Sequence, residues 1–367
     1  MGKLFQRLYC TRQAKRGQHP DHALHEDMTM TVMLDRLQTL LIGASRTFAL
    51  NIPMLPSPLV EAVTLGYLLF RNADTIEDAY LWPRERRIEE LEKLIAVVNR
   101  PNDPALARSF AAHYDHEEQV QDPSHIQVLR QTPFIMDQLR ELPAEYIQVI
   151  SEHLTRTARG MQSWIGRYDK HNSLSLLRLR ELDDYCYTVA GIVGEMLTTL
   201  FALYSPHIQE GQLLYLRTLE IGYAAGLQLT NIIKDSFRDH TEGRHYIPRQ
   251  YLPLGPNDAS DKIIPIFVYA YRHLIQGLDY VLGVPAEEIG IRKFCLVPIV
   301  LAGATLDRLL QHRSELYSGD DVKINRARVF ELLNRVDEVI SNDQHIQRLW
   351  EHVTSPLVAA SRRFSAA

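Results

Sequence analysis

The chain has 367 residues, 46% of them hydrophobic, and a formal net charge of −5. That is enough apolar material for a sizeable core, and the interspersed charges of both signs exclude the basic surface that a nucleic-acid partner needs. Cys10, Cys186 and Cys295 are odd in number and far apart, which argues for reduced thiols in a cytoplasmic protein and against a disulfide framework or a zinc site.

The chain opens on a basic stretch, residues 3–16, where Lys3, Arg7, Arg12, Lys15 and Arg16 alternate with Leu4, Phe5, Leu8 and Tyr9. It reads as a frayed terminus or as a short helix lying peripherally on a membrane surface, and it lacks the apolar core of a signal peptide. No linker, low-complexity run or fixed-period repeat follows. The expected organisation is a basic segment over 1–27, one helical domain over 28–345, and a tail over 346–367 with no hydrophobic anchor.

Helical periodicity dominates. It predicts helices at about 28–47, 57–80, 84–98, 103–118, 123–140, 143–168, 174–204, 208–240, 260–282, 287–316 and 326–341, with breaks where Pro and Gly cluster. The longest apolar run, 294–306, contains Pro298 and falls short of the roughly 20 residues of a spanning helix. The fold class is therefore all-α.

Within the helix predicted over 57–80, Tyr67, Arg71, Asp74 and Asp78 fall within about 60° of arc. A single pair of carboxylates at i, i+4 is more often a solvated face. A second pair, Asp235 and Asp239, shares a stripe with Gln228 and Asn231 in a helix that is otherwise apolar on nearly every side. Such a helix is buried, and buried carboxylates need partners. Two aspartates per helix suit magnesium, which takes one or two carboxylates together with phosphate and water. Arg46, Arg71, Lys234 and Arg244 supply cations matched to diphosphate oxygens.

Small residues at Ala190, Gly191 and Gly194 allow close helix approach, and Tyr185 just before them is either a core tyrosine or an aromatic face for an electron-deficient intermediate. The run His113–Glu118 and the pair Asp183–Asp184 read as solvated helix faces.

These stretches resemble the squalene/phytoene synthase family over about residues 40–330. The resemblance is carried by SRTF (45–48), YLLFRNADTIED (67–78), YCYTVAGIVG (185–194) and GLQLTNIIKDSFRDHTEGRHYIP (226–248). FCLVPIVLAGATL (294–306) and VKINR (322–326) are similar to squalene synthases within it. The resemblance implies the isoprenoid synthase fold, a single helical bundle around a central cavity. It implies head-to-head joining of two farnesyl diphosphates through presqualene diphosphate, followed by reduction with NADPH. The alternatives are a dehydrosqualene or phytoene synthase that omits the reduction and, less favoured, a non-catalytic helical assembly factor.

By the same resemblance Asp74, Asp78, Asn231, Asp235 and Asp239 hold magnesium, while Ser45, Arg46, Arg71, Lys234 and Arg244 bind diphosphate. Phe48, Tyr67 and Tyr185 face the reacting centre; Gln228, Phe294, Cys295 and Pro298 line the cavity; Lys323 and Arg326 hold NADPH phosphates. The expected protein is a monomer. It departs from the family pattern at Ala79 and Arg238, where acids are usual, so the site carries less negative charge.

Overall fold

A computed structural model describes residues 35–45, 47–117, 123–252, 260–317 and 322–365. The basic stretch at 3–16, Cys10 and Arg46 lie outside the described residues.

The elements are α1 (35–44), α2 (Phe48–Asn51), α3 (Leu59–Glu77), α4 (Arg84–Val98), α5 (Pro104–Ala112), α6 (Pro123–Arg130), α7 (Thr132–Leu139) and α8 (Ala144–Gly166), followed by α9 (Leu179–Cys186), α10 (Ile192–Tyr204), α11 (Glu210–Thr241), α12 (Ile264–Gly283), α13 (Ile289–Gln311), α14 (Arg326–Val339), α15 (Asp343–Val353) and α16 (Ser355–Ser365). A two-residue parallel ladder joins β1 (Leu174–Ser175) to β2 (Arg244–His245).

Helix α11 is the axis, with α10, α12 and α13 packed along it, while α3 packs on α8 and on α4, α6 and α7. Close approach is set by missing side chains. A Cβ on Gly194 would lie 2.5 Å from the Glu220 carbonyl oxygen, and one on Gly226 would lie 2.9 Å from the Leu274 nitrogen. Gly194 is one of the small residues that the sequence marks for packing.

Several expected boundaries differ. The helix expected over 123–140 is two, because Pro133 at the start of α7 has no N–H to continue the ladder of α6. The stretch expected to be helical from 174 begins as a strand and turns helical only at Leu179. The boundary drawn at 345 falls inside α15, and the segment beyond it is helical: Trp350 is buried and stacks on Tyr271 with parallel rings 6.0 Å apart. The apolar run 294–306 belongs to α13, which is 23 residues long. That helix and Leu179–Tyr204 are each long and apolar enough to cross a membrane, but 72% and 56% of their most apolar windows are buried inside the fold. Asp183 and Asp184 are exposed as expected. Glu118 lies outside the described residues, and the rest of the run from His113 is not simply solvated: Tyr114 is buried and donates to Glu90 Oε2 at 2.7 Å, and Glu117 pairs with Arg86.

Candidate active site

Asp74 lies in the last turn of α3, and Asp78 is the C-cap, its N–H bonded to the Asp74 carbonyl. A helix C-terminus already carries about half a negative charge, so carboxylates there call for a cation. On the same face the ring of Phe48 lies 5.0 Å from that of Tyr67, and Arg71 donates to the Tyr67 hydroxyl at 2.9 Å and lies 3.5 Å from Asp74. The Ser45 hydroxyl accepts from the Phe48 N–H at 3.1 Å and so starts α2. Burial pushes the Asp74 carboxyl up to about 6, against the opposing Arg71 charge and with help from Asp78.

The second pair sits near the C-terminus of α11. Lys234 lies 3.3 Å from Asp235 and donates to Asn231 Oδ1 at 3.3 Å. Arg238 reaches the same Asp235 oxygen at 3.4 Å. Asp239 is buried and bonded by Arg244 at 2.8 Å, and burial lifts its carboxyl to about 6 against that cation.

Arg244 connects the pairs. Besides Asp239 it meets Glu242, and its Nη1 lies 3.5 Å from Asp78 on α3. The ladder with Leu174 positions its backbone, and the preceding Gly243 turns the chain at φ +78°, a conformation that side chains disfavour. Only 4% of its side chain is exposed. The sequence reading gives Arg244 to diphosphate; here its Nη2 bonds Asp239 and Glu242 and its Nη1 lies near Asp78, a clasp on one aspartate of each pair, while Nε and Nη1 have no hydrogen-bond partner among the described residues.

A buried polar knot under this clasp escaped the sequence reading. The Tyr185 hydroxyl donates to that of Tyr246 at 2.9 Å, and Glu77 Oε1 lies 3.4 Å away. The two tyrosine rings stack at 4.5 Å, and Trp164 meets Tyr185 edge-on at 5.5 Å. Burial, with Asp78 adding and Arg244 opposing, holds the Glu77 carboxyl well above its ordinary range. The available signals were position alone: Glu77 sits between the first two aspartates and Tyr246 two residues after Arg244.

Phe294, Cys295 and Pro298 are all buried in α13. Pro298 has no N–H for the Phe294 carbonyl four residues back, and Asn51 Nδ2 supplies that bond instead at 3.0 Å. The Tyr223 hydroxyl reaches the next carbonyl, of Cys295, at 3.4 Å. Gln228 is half-buried on α11. Arg326 is exposed at the start of α14, which packs on α13 and α15, and Lys323 is exposed just before it.

No group of three His, Cys, Asp or Glu side chains among the described residues closes on a single point to hold a metal. The donor set nevertheless fits a hard divalent cation. All five donors offer oxygen, both aspartate pairs stand toward helix C-termini, and desolvation by burial raises Asp74 and Asp239 to about 6 in spite of the local cations. A cleft of about 330 Å³ opens beside the clasp, lined by Ile232, Phe237, Asp239, Arg244, His245 and Tyr246 among others.

The family description "Squalene/phytoene synthase" matches residues 41–328. The chain is 30% identical over 322 residues to a squalene synthase of Cyberlindnera jadinii, covering 83% of this chain and 68% of that protein. It is 28% identical over 349 residues to one of Saccharomyces cerevisiae, covering 89% and 73%. With one of Schizosaccharomyces pombe it shares 25% over 320 residues, 84% of this chain but 66% of that protein, so the chain spans about two thirds of the length of such relatives. Among solved structures, a complex of TcSQS with the ligand BPH1237 superposes with a TM-score of 0.73 at 23% identity, covering 89% of this chain and 92% of that one. A dehydrosqualene synthase complex gives 0.52 at 15%, covering 85% and 97%, and both show the shared isoprenoid synthase fold. The match spans both aspartate pairs, Arg244 and the Tyr185 knot, and with them the chain belongs to the squalene/phytoene synthase family.

Proposed function

We propose that the protein is a squalene synthase, a farnesyl-diphosphate farnesyltransferase that joins two farnesyl diphosphates head to head through presqualene diphosphate and reduces the product with NADPH. The observation that carries this reading is the clasp: one aspartate of each pair, Asp78 and Asp239, reaches the buried Arg244, and Tyr246, two residues beyond it, is bonded to the buried Tyr185. The several squalene synthases among its relatives favour the reductive reading over a dehydrosqualene or phytoene synthase.

Magnesium, held by Asp74, Asp78, Asn231, Asp235 and Asp239, would supply the charge that lets diphosphate depart from an allylic carbon. NADPH, when bound with help from Lys323 and Arg326, would supply the hydride. The chain's own residues do the rest. Arg71 and Lys234, already turned toward the aspartates, have phosphate oxygens within reach once diphosphate arrives. The Phe48 and Tyr67 rings offer their faces to positive charge. The Tyr185 hydroxyl, next to Glu77 and Tyr246, is the group placed to hold or pass the proton lost on ring closure. Phe294 and Pro298, both buried in α13, would supply an apolar wall that keeps water from trapping cations as alcohols. The reaction belongs in the cytoplasm or at the membrane surface, where a hydrocarbon product partitions.

Incubation with farnesyl diphosphate, Mg²⁺ and NADPH is expected to yield squalene. Without NADPH the yield of squalene should vanish. The same dehydrosqualene or C40 product with and without NADPH would overturn the reductive assignment.

A further inference from the structure

Each of the four aspartates already has a protein cation within 3.5 Å. They are not held alike. Arg244 is 4% exposed and fixed by a strand ladder, and Arg71 is tied to the Tyr67 hydroxyl. Asp235 instead carries two cations, Lys234 at 3.3 Å and Arg238 at 3.4 Å, both on one oxygen. Arg238 is 59% exposed, and Asp235 is its one ion-pair partner among the described residues. It is a long, solvated side chain resting on a carboxylate, held by little and free to swing away.

From this we infer that Arg238 is a built-in counter-ion for Asp235, which makes divalent-cation uptake at the second aspartate pair depend on diphosphate. The inference rests on the reading of this site as one for metal and diphosphate. While the guanidinium lies on Asp235, a divalent cation approaching that oxygen meets a like charge a few ångströms away and one fewer free lone pair. Diphosphate is a better acceptor for the guanidinium fork than a single carboxylate oxygen. Drawn onto phosphate, Arg238 leaves Asp235 with Lys234 as its one remaining cation, and a divalent cation then gains both the carboxylate and the phosphate oxygens. Diphosphate and metal thus raise each other's affinity, a reciprocal coupling. No comparable exchange exists at Asp239, where Arg244 is buried and shared with Asp78 and Glu242.

The test is Mn²⁺ titration of the whole protein, followed by electron paramagnetic resonance, with and without inorganic diphosphate and with no turnover involved. Arg238→Ala is expected to bind Mn²⁺ alone about three- to tenfold more tightly than the unaltered protein, the range expected for losing one screened charge. The enhancement of Mn²⁺ binding by diphosphate should shrink by a similar factor, while Arg238→Lys, which keeps the charge but loses the fork, should bind Mn²⁺ alone as weakly as the unaltered protein and show a smaller enhancement by diphosphate. Adding Asp235→Asn should erase the gain. Unchanged Mn²⁺ affinity and enhancement in Arg238→Ala would overturn the inference while leaving the site's assignment standing, as would a gain that survives Asp235→Asn. Absence of Mn²⁺ binding to the unaltered protein under both conditions would overturn the assignment and the inference together.

Discussion

Asp74 and Asp239 hold their protons more tightly in the folded chain than an ordinary aspartate at 3.8, each being raised to about 6 chiefly by burial. The sign follows from linkage. Between pH 3.8 and about 6 the folded state binds the extra proton, so stability falls as pH rises through that window, and above it the full cost of ionisation remains. Asp74→Asn should therefore raise the melting temperature at pH 8, by about 2–4 °C for each kcal/mol recovered, and leave it unchanged at pH 3.5, while abolishing turnover. Thermal melts at the two pH values check this; an equal shift at both would mean that the carboxyl is not perturbed. By the same protonation, cation uptake should weaken as pH drops below about 6. Tyr246→Phe keeps the ring stack on Tyr185 but removes the 2.9 Å hydroxyl contact. It should cost about 1 kcal/mol of stability and lower kcat about tenfold with KM little changed, which steady-state kinetics and denaturant melts separate. Glu77 and Tyr246 were invisible to a search by stripe and spacing, because each matters through a contact across the fold rather than along one helix.

At the scale of elements, two devices bring the site together. Glycines bring helices close, and Gly194→Ala would press a methyl into the Glu220 carbonyl at 2.5 Å. The expected cost is about 1–3 kcal/mol, read from urea unfolding. The second device is the proline break in α13, repaired by Asn51 from α2. Asn51→Leu should cost about 1–3 kcal/mol by orphaning the Phe294 carbonyl. In a Pro298→Ala background the ladder can satisfy that carbonyl, so the same substitution should cost distinctly less. Equal costs in both backgrounds, measured as a double-mutant cycle, would show that Asn51 does not repair the break. Pro298 was readable as an interruption of an apolar run, whereas its partner, 247 residues earlier in number, was not. The split between α6 and α7 was legible at Pro133 and masked by apolar residues that continued at helical spacing on both sides.

Across the whole molecule, α15 and α16 cover part of the core. Trp350 is 4% exposed, stacks on Tyr271 and packs against Gly303 of α13. Trp350→Ala should destabilise the whole domain by about 3–5 kcal/mol in a single cooperative transition, visible in denaturant melts by both circular dichroism and intrinsic fluorescence. Two transitions would mean that these helices fold apart from the rest. The amphipathic pattern of α15, with Ile346, Leu349, Trp350 and Val353 buried, carried the signal for this packing, but the composition of the following segment read as a tail.

The sequence by itself determined the helical class, the breaks at Pro and Gly, and the two acidic stripes, since each is a local consequence of side-chain period or backbone freedom. It also carried the family, through motifs that stay contiguous along the chain. What only the tertiary structure decided is who meets whom. Arg244 clasps one aspartate of each pair, Asp78 and Asp239, because a two-residue ladder with Leu174 sets its backbone beside both helices, whereas Arg238 meets Asp235 by i,i+3 spacing within α11. Pairing between helices depends on distance and burial, which spacing along one helix does not set.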